Sequence, residues 1–293
     1  MKGFSLIEVM MALIITLGIG LIVFQLFRQN ERVFRDQNLV IEMQQTARVV
    51  ASQIADEVRM AGQGVPVFAS AFDSVGQEGA AVILPSSTND RIDFRAGLSL
   101  VETSVTTPIP VDCTMGFSRT LTVADGSALL NALGTTTPNG RFVYIWGPAN
   151  NQLWTWVRAE LTRINGNTLT LTPRQGGDSA LFTRAPALAL EEAVSIYLSG
   201  TNVKRATATD MTNPANPAWS PANDIGRNIT SLSFAYFDDN NAVVSPGSLA
   251  NRLSIARVDV LVVAQTSELS DGSRASHPLS FRTIPRNLRV RLN

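Results

Sequence analysis

The residue with the clearest chemical potential in this sequence is an acid close to its amino terminus. Glu8 stands at the head of a run, from Val9 to Phe27, in which no residue is charged. An ionised carboxylate inside a lipid bilayer is costly, so such a group is by default functional and has a partner that offsets the cost. The sequence therefore predicts that Glu8 takes part in a specific interaction at the membrane.

Two other residue types that often carry chemistry occur once each. His277 is the only histidine, so a Ser-His-Asp or Cys-His catalytic system would have to use it. It precedes Pro278 in a polar stretch, which predicts an exposed loop residue. Cys113 is the only cysteine, so the sequence allows no intrachain disulfide and no zinc site of the usual spacing. We expect a protein that is not an enzyme and has no cofactor, with Cys113 as a small buried residue.

A weak metal candidate follows one of the predicted strands. Asp238 and Asp239 are followed there by Asn240 and Asn241. Their oxygens are ligands of the kind that calcium prefers, but the twelve-residue calcium loop pattern is absent. Four such residues in a row are also typical of turns. Both interpretations stay open, and the turn is favoured.

The charge balance limits the partners that the sequence indicates. The chain has 24 basic and 24 acidic residues, whereas nucleic-acid binding shows as a strong basic excess. The one local basic cluster is formed by Arg286, Arg289 and Arg291. It alternates with apolar residues, which predicts the solvated face of a last strand. The sequence therefore argues against a nucleic-acid partner.

The apolar run has the length of a membrane span. About 20 apolar residues cross a bilayer, and residues 6 to 27 nearly supply them. A secretory signal fits less well, because the apolar stretch is too long and no small-x-small cleavage site follows it. A plain single-span anchor explains the hydrophobicity but not Glu8. Basic residues flank the run on both sides, at Lys2 and at Arg28, so the positive-inside rule does not orient it.

One helix is predicted to continue far beyond this span. No proline occurs before Pro66, and helix-compatible residues run from Ser5 to Ala61, a length of about 85 Å. Beyond the span, apolar residues recur at spacings of seven, three and four, which predicts a helix that packs on a globular domain. Gly62 and Gly64 supply a stop. The predicted packing stripe consists of Val33, Val40, Met43, Ala47, Val50, Ile54, Val58 and Ala61.

Two glycines, Gly18 and Gly20, interrupt the middle of the apolar run. In lipid, glycines commonly let neighbouring helices approach one another closely. Each also lowers helix stability by about 1 kcal/mol, which would favour local melting of the helix. The sequence supports packing and melting equally.

After Pro66 the helical period gives way to short β-type runs divided by turn residues. Residues 65 to 293 are predicted to form a globular, mainly antiparallel β domain, which makes the fold class α+β. Asn165-Gly166 predicts a two-residue hairpin turn, and Ser127 to Leu133 one helical turn. Trp219, in a proline-rich loop, is predicted to fold back over the sheet, with contact to an outside partner as the alternative. The predicted strands are Ala80–Leu84, Arg91–Phe94, Arg119–Val123, Phe142–Trp146, Leu153–Ile164, Thr168–Thr172, Ala193–Leu198, Ile229–Phe237 and Leu253–Ala264.

The first residues resemble the processing site of type IV prepilins. The matching stretch is Gly3-Phe4-Ser5-Leu6-Ile7-Glu8. The resemblance implies a leader of residues 1 to 3, a helix over residues 4 to 64, cleavage between Gly3 and Phe4, and N-methylation of Phe4. It also implies that Glu8 pairs with such an amino terminus when subunits dock into a fibre. The amino terminus would start in the cytoplasm, with the bulk of the chain outside.

The end of the long helix narrows this resemblance. Arg59-Met60-Ala61-Gly62 is similar to the helix end of the PilW family of minor pilins, and Asn89 to Arg95 is similar to that family's first strand. The resemblance implies a pilin-like fold and a non-enzymatic minor pilin of a type IV pilus, which primes assembly or sits at the tip. One departure is Gln63, because many members of the family have a cysteine after the Ala-Gly pair.

The same resemblance implies partners and a location. The partners are other minor and major pilins, the prepilin peptidase and the inner-membrane pilus assembly platform. The location is the inner membrane, single-pass with the carboxy-terminal domain in the periplasm, and then the pilus on the cell surface. The J-type minor pseudopilin of type II secretion shares the long helix and the large β domain, and it stays open as an alternative. A membrane-anchored surface-binding or hydrolytic protein is a more distant one.

Overall fold

The fold is described by a computed structural model for residues 6–66, 77–149, 153–177 and 181–285. One long helix, α1 (Leu6–Arg59), is followed by a domain built mainly of antiparallel strands. At 1.5 Å per residue, the 54 residues of α1 span about 81 Å. The predicted α+β class, a long amino-terminal helix with a mainly antiparallel β domain, is confirmed.

The chain leaves α1 through the two glycines that the sequence indicates. Gly62 and Gly64 have φ angles of 84° and 75°, in the left-handed region that residues with a side chain rarely adopt. The backbone N–H of Gly62 donates to the carbonyl oxygen of Arg95 at 2.8 Å. This bond ties the end of the helix directly to the β domain.

Only the second half of α1 packs on the domain. Val40 is half-buried there, but the prediction for Val33 is wrong, because that side chain is exposed. The physical reason is the position of the domain along the helix. Among the described residues, its hydrogen bonds to α1 begin at Asp36, which accepts from the backbone N–H of Ser270 at 3.1 Å. The buried side chains of α1 are Met43, Ala47, Val50, Ala51, Ile54, Ala55 and Val58.

The elements after α1 are short, and most of them are strands. The described residues include a 3₁₀ turn at Glu78–Ala80 and two helices, α2 (Ser127–Leu133) and α3 (Leu249–Ser254). The strands are β1 (Arg91–Arg95), β2 (Glu102–Ser104), β3 (Val111–Asp112), β4 (Arg119–Thr122), β5 (Arg141–Pro148), β6 (Trp154–Asn165), β7 (Thr168–Gly176), β8 (Leu181–Phe182), β9 (Ala187–Leu190), β10 (Ala193–Ser199), β11 (Asn202–Asp210), β12 (Ala218–Trp219), β13 (Asn223–Gly226), β14 (Ile229–Phe237), β15 (Val243–Val244), β16 (Arg257–Gln265) and β17 (Ser276–Thr283).

Most of the predicted strands exist, some with shifted ends. β14 and α2 have the predicted bounds. The hairpin of β6 and β7 is confirmed, but Asn165 pairs with Thr168, so the two turn residues are Gly166 and Asn167. Gly166 has a φ of 58°, the positive value that the first central residue of a type II′ turn requires.

Two of the predicted strands are wrong in whole or in part. Ala80–Leu84 forms no strand: it begins at the end of the 3₁₀ turn, and Ile83 makes a single bridge to Phe94. Leu253–Ala264 begins within α3 and becomes β16 only at Arg257. The predicted last strand that contains Arg289 and Arg291 lies outside the described residues.

Two sheets and α1 form a unit that we call the body. One sheet has the order β1-β10-β11-β12, with β13 also paired to β11, and the other has the order β15-β14-β16-β17. α1 packs against β13, β16 and β17, and its buried stripe joins side chains of both sheets in one core. The hydroxyl of Tyr236 in β14 donates to the carbonyl of Thr88, just before β1, at 3.0 Å.

The remaining six-stranded sheet closes on itself as a barrel. Its order is β2-β9-β5-β6-β7-β4, and a bridge between Val105 and Val123 joins the two outer strands. Two backbone hydrogen bonds support the closure: Thr106 donates to Thr122 at 2.7 Å, and Ala124 donates to Ser104 at 2.9 Å. Closure leaves the sheet without a free edge. Buried side chains fill its interior, including Val143, Ile145, Val157, Leu161, Leu171 and Leu188.

The barrel is an insertion into the body. β1 and β10 are direct antiparallel neighbours, with Arg95 opposite Ala193, yet all six barrel strands lie between them in the sequence. The two ends of the insertion meet where the N–H of Ala96 donates to the carbonyl of Glu192 at 3.0 Å. Adjacent ends are what a compact inserted unit requires.

Candidate functional site

The first half of α1 is an apolar stretch that the rest of the described chain leaves uncovered. The large apolar side chains from Leu6 to Phe27 are between 43% and 80% exposed. The helix is long and apolar enough to cross a membrane. Glu8 lies in the first turn of the described helix and is exposed there, where the partial positive charge of a helix amino terminus favours an acid. Gly3 and Phe4 lie outside the described residues.

The helix runs without interruption through Gly18 and Gly20. A Cβ built at either position would meet no atom of the described residues within 4 Å, apart from the adjoining turns of the helix itself. The described part of a single chain therefore gives no steric reason for glycine at these positions. Close packing of helices and local melting both stay predictions.

The second half of α1 carries a second apolar stripe that the sequence analysis missed. We call Phe34, Ile41 and Val49 the outward stripe; they are 66%, 51% and 62% exposed. At 3.6 residues per turn they lie about 140° to 160° around the helix from Ile54, at the centre of the buried face. Their spacings of seven and eight residues in the sequence are the signal that could have predicted this stripe. The outward stripe continues the apolar surface past Phe27 on the side of α1 that faces away from the body.

The two residues considered for catalysis lie in a strand of the body and in the core of the barrel. The prediction of a loop position for His277 is wrong, because it lies in β17, opposite Ala264, and is half-buried. Cys113 is fully buried, as predicted. Burial, aided by the nearby charge of Asp112, raises the pKa of its thiol to about 12, so it stays protonated at neutral pH.

Asp238 occupies a turn. Its Oδ1 accepts hydrogen bonds from the backbone N–H groups of Asn240 at 2.9 Å and Ala242 at 2.8 Å. Asn241 has a φ of 61°, a value that asparagine tolerates in turns. In the part of the chain that the structure describes, no three histidine, cysteine, aspartate or glutamate residues are grouped to hold a metal ion. The geometry around Asp238 and Asp239 is that of the turn interpretation.

A buried ionic cluster, which no sequence pattern predicts, lies where the barrel joins the body. Glu191 stands between β9 and β10, with Arg95 Nε 2.6 Å from Oε1 and Arg158 Nε 2.8 Å from Oε2. We call these three residues the junction cluster. Burial opposes ionisation of Glu191, but the charges of Arg158 and Arg95 outweigh it and hold the pKa of this carboxyl below its usual range. The cluster is therefore ionised at neutral pH.

Solvent does not reach the junction cluster. Arg95, Arg158 and Glu191 are each at most 2% exposed. The Arg158 guanidinium lies 3.6 Å from the ring centre of Phe142, and its Nη2 donates to the carbonyl of Met211 at 2.8 Å. A sealed cluster of this kind offers a substrate no access.

One end of the barrel exposes apolar loop residues. Ile109 and Phe117 precede and follow β3, and Leu153 and Trp154 lie at the start of β6. The Arg119 guanidinium lies 5.8 Å from the ring centre of Phe117. Trp219 is different, because it folds back as predicted: it pairs within the body as part of β12 and is partly buried.

The comparisons with known proteins add little to this picture. Neither the models of protein families nor the curated protein sequences give a match. Among solved structures, the chain is similar to a type IV-like pilin from Thermus thermophilus, with 10% sequence identity and a TM-score of 0.25. The likeness covers 55% of this chain and 93% of the other. At such a TM-score it carries no argument about function, which has to be argued from the site itself.

Proposed function

We propose that this protein is a membrane-anchored, non-enzymatic filament subunit of the type IV pilin kind. The observation that carries the proposal is the division of α1 into an apolar half exposed along its length and a half that holds the domain. Apolar side chains in such number need cover, which either a bilayer or a bundle of similar helices provides. A subunit that waits in the membrane and then enters a filament uses both environments in turn.

Glu8 sets the register between helices in this proposal. A helix that moves from lipid into a helix bundle gains little from the hydrophobic effect, because both surroundings are apolar. Side-chain packing and the ion pair of Glu8 then determine how neighbouring helices align. The partner amine is the amino terminus of Phe4, in the same or an adjacent subunit, after a prepilin peptidase has cleaved behind Gly3 and the amine has been methylated. An ion pair is strong in an apolar bundle, where the local dielectric is low.

The outward stripe supports contact between helices beyond the bilayer. Phe34, Ile41 and Val49 extend the apolar surface along the half of α1 that already holds the body. A simple anchor needs no apolar side chains there. In a filament, the same residues would be covered by neighbouring helices, and each would contribute about 25 cal/mol per Å² of apolar area removed from water.

Within this class, we assign the protein to minor pilins of the PilW kind, which prime assembly or occupy the tip. The similarity of Arg59-Met60-Ala61-Gly62 supports the assignment, as does an inserted barrel that enlarges the domain. The partners would be other minor and major pilins and the inner-membrane assembly platform, with the domain in the periplasm before assembly. A J-type minor pseudopilin of a type II secretion system is the alternative.

The central experiment replaces Glu8 and measures entry into filaments. Glu8→Ala should reduce the protein in sheared filaments to near background while its amount in the membrane stays unchanged. Glu42→Ala, which removes an exposed acid elsewhere on α1, is the matched control and should enter filaments normally. Mass spectrometry of the same samples should find methylated Phe4 as the first residue. Wild-type entry of Glu8→Ala would refute the pairing role, and an intact Met1 in cells with the peptidase would refute the class.

The exposed loops of the barrel support surface binding as a second candidate function. Ile109 and Phe117 are apolar and solvent-exposed in loops at one end of the barrel, where a surface could contact them. Phe117→Ser should then weaken attachment of cells to an apolar surface without changing filament number. If attachment is unchanged at equal filament number, these loops have no such role.

A further inference from the structure

The junction cluster connects parts of the molecule that are far apart in the sequence. Arg95 belongs to β1 of the body, Arg158 belongs to β6 of the barrel, and Glu191 lies in the second link between the two units. One carboxylate thus accepts from a guanidinium of each unit. The carbonyl of Arg95 also accepts from the N–H of Gly62, so the end of α1 is tied to the backbone of a residue in the cluster.

The cluster also holds the segment around the 3₁₀ turn, which lies between the barrel and the body. Arg95 Nη1 donates to the carbonyl oxygens of Glu78, at 3.1 Å, and of Ala81. The Tyr144 hydroxyl of β5 donates to the carbonyl of Gly79 at 2.7 Å. Arg252 of α3 approaches the Glu78 carboxylate at 2.5 Å. Side chains from the body and from the barrel therefore form hydrogen bonds and an ion pair with the same short segment, residues 78 to 81.

The rest of the contact between the two units is largely apolar. Trp146 and Trp156 of the barrel share a core with Val82 and Ile83 of the body side. Burial of such surface stabilises the contact but has little directional preference. The planar guanidinium fork accepts few arrangements around a carboxylate, so the ionic contacts are the directional part of this junction.

The junction cluster is not expected to add much to the free energy of unfolding. Desolvation of buried charges largely cancels their attraction, and apolar residues of similar volume often replace a buried ion pair without loss. Arg95 Nη2 is buried and makes no hydrogen bond, an arrangement that lowers stability further. A role in specifying one arrangement accounts for the cluster better.

We propose that the junction cluster is an orientation lock, which fixes the inserted barrel at one angle to the body and to α1. Arg95, Glu191 and Arg158 act as positioning residues. The exposed loop end of the barrel is thereby held in one direction relative to the helix that anchors the chain. This proposal does not depend on the filament function, because it concerns the geometry of the single chain.

The test measures a distance across the junction in the full-length protein in detergent micelles. Spin labels at Ser52→Cys on α1 and Thr136→Cys on the barrel, both exposed positions, are placed in a Cys113→Ala background. With the lock intact we expect one narrow distance distribution. The triple variant Arg95→Met, Glu191→Leu, Arg158→Met should give a broadened distribution or a second distance, with an unchanged or higher Tm. A distribution as narrow as that of the parent would overturn the proposal.

Two further variants complete the test. The exposed pair Glu160 and Arg174 lies on the same barrel, so Glu160→Leu with Arg174→Met is the matched control and should leave the distribution narrow. If the triple variant does not fold, Arg158→Lys decides, because it keeps the charge and removes the guanidinium fork. Broadening in Arg158→Lys supports the lock, and an unchanged width in that variant refutes it.

Discussion

The two halves of α1 share one helix geometry and have opposite surroundings. Before Phe27 the apolar side chains lie on all sides and are exposed, whereas from Met43 onward one stripe is buried against the body. In the first half, no described residue outside the helix covers these side chains. In the second half, the chain supplies its own cover. The distribution of apolar residues around the helix axis, more than their number, separates the two roles.

The residues between these two halves of α1 combine features of both. Asp36 marks where the body begins to hold the helix, through its hydrogen bond to Ser270. Phe34 and Ile41 lie on either side of it, yet both face away from the body. In its second half, the helix therefore has two distinct faces. One face packs on the body and stabilises the fold, and the other is exposed and can contact a neighbouring molecule.

The largest effect on stability is expected on the buried face. Ile54 is fully buried, so Ile54→Ala should lower the free energy of unfolding by about 2–5 kcal/mol through lost burial and a cavity. The same change at Ile15 in the exposed half, or at Ile41 on the outward stripe, should stay within about 0.5 kcal/mol. Urea unfolding of the full chain in micelles, followed by tryptophan fluorescence, measures all three. Equal losses at Ile54 and Ile41 would contradict the division into faces.

A smaller loss is expected from crowding the same face. A Cβ at Gly226 in β13 would lie 2.2 Å from Cγ2 of Val50, a stiff and buried side chain on α1. Gly226→Ala should therefore cost about 1–3 kcal/mol of unfolding free energy, because the helix or the strand has to move. Gly247→Ala is the matched control, since its nearest neighbour is Ser245 Oγ at 3.8 Å. If the two variants unfold at the same urea concentration, the close packing of α1 on β13 is not as described.

The sequence predicted the parts of the fold that rest on local signals. A 3.6-residue period with Gly62 and Gly64 behind it was enough to define α1, and the alternation from Ser231 to Tyr236 was enough for β14. Strands of two to four residues, such as β2 and β3, are too short to show alternation. Closure of the barrel depends on Val105 meeting Val123, a pairing that no local pattern encodes.

The residues of the candidate site also differ in how well the sequence predicts them. Glu8 stands out in the sequence because its surroundings are apolar along the chain itself. Arg95 and Arg158 do not, because charged residues on predicted strands are expected to face solvent. Their burial follows from two units closing on each other around Glu191. The outward stripe was missed for another reason, because one apolar stripe was sufficient to account for the predicted packing of the helix.

The smallest effect on stability, together with a severalfold effect on assembly, is expected on the outward stripe. Phe34 is exposed, so Phe34→Ser should change the free energy of unfolding by less than about 0.5 kcal/mol. In a filament, however, a neighbouring helix would cover this ring, and its loss should lower the amount of protein in sheared filaments severalfold. Gln45→Ser, on the same side of α1 but already polar, should leave that amount unchanged. Stability and assembly are measured on the same variant, so two other results can be told apart. A normal filament yield from Phe34→Ser would restrict helix contact between subunits to the apolar span. A loss of both filament yield and unfolding free energy would show that Phe34 contributes to the fold itself.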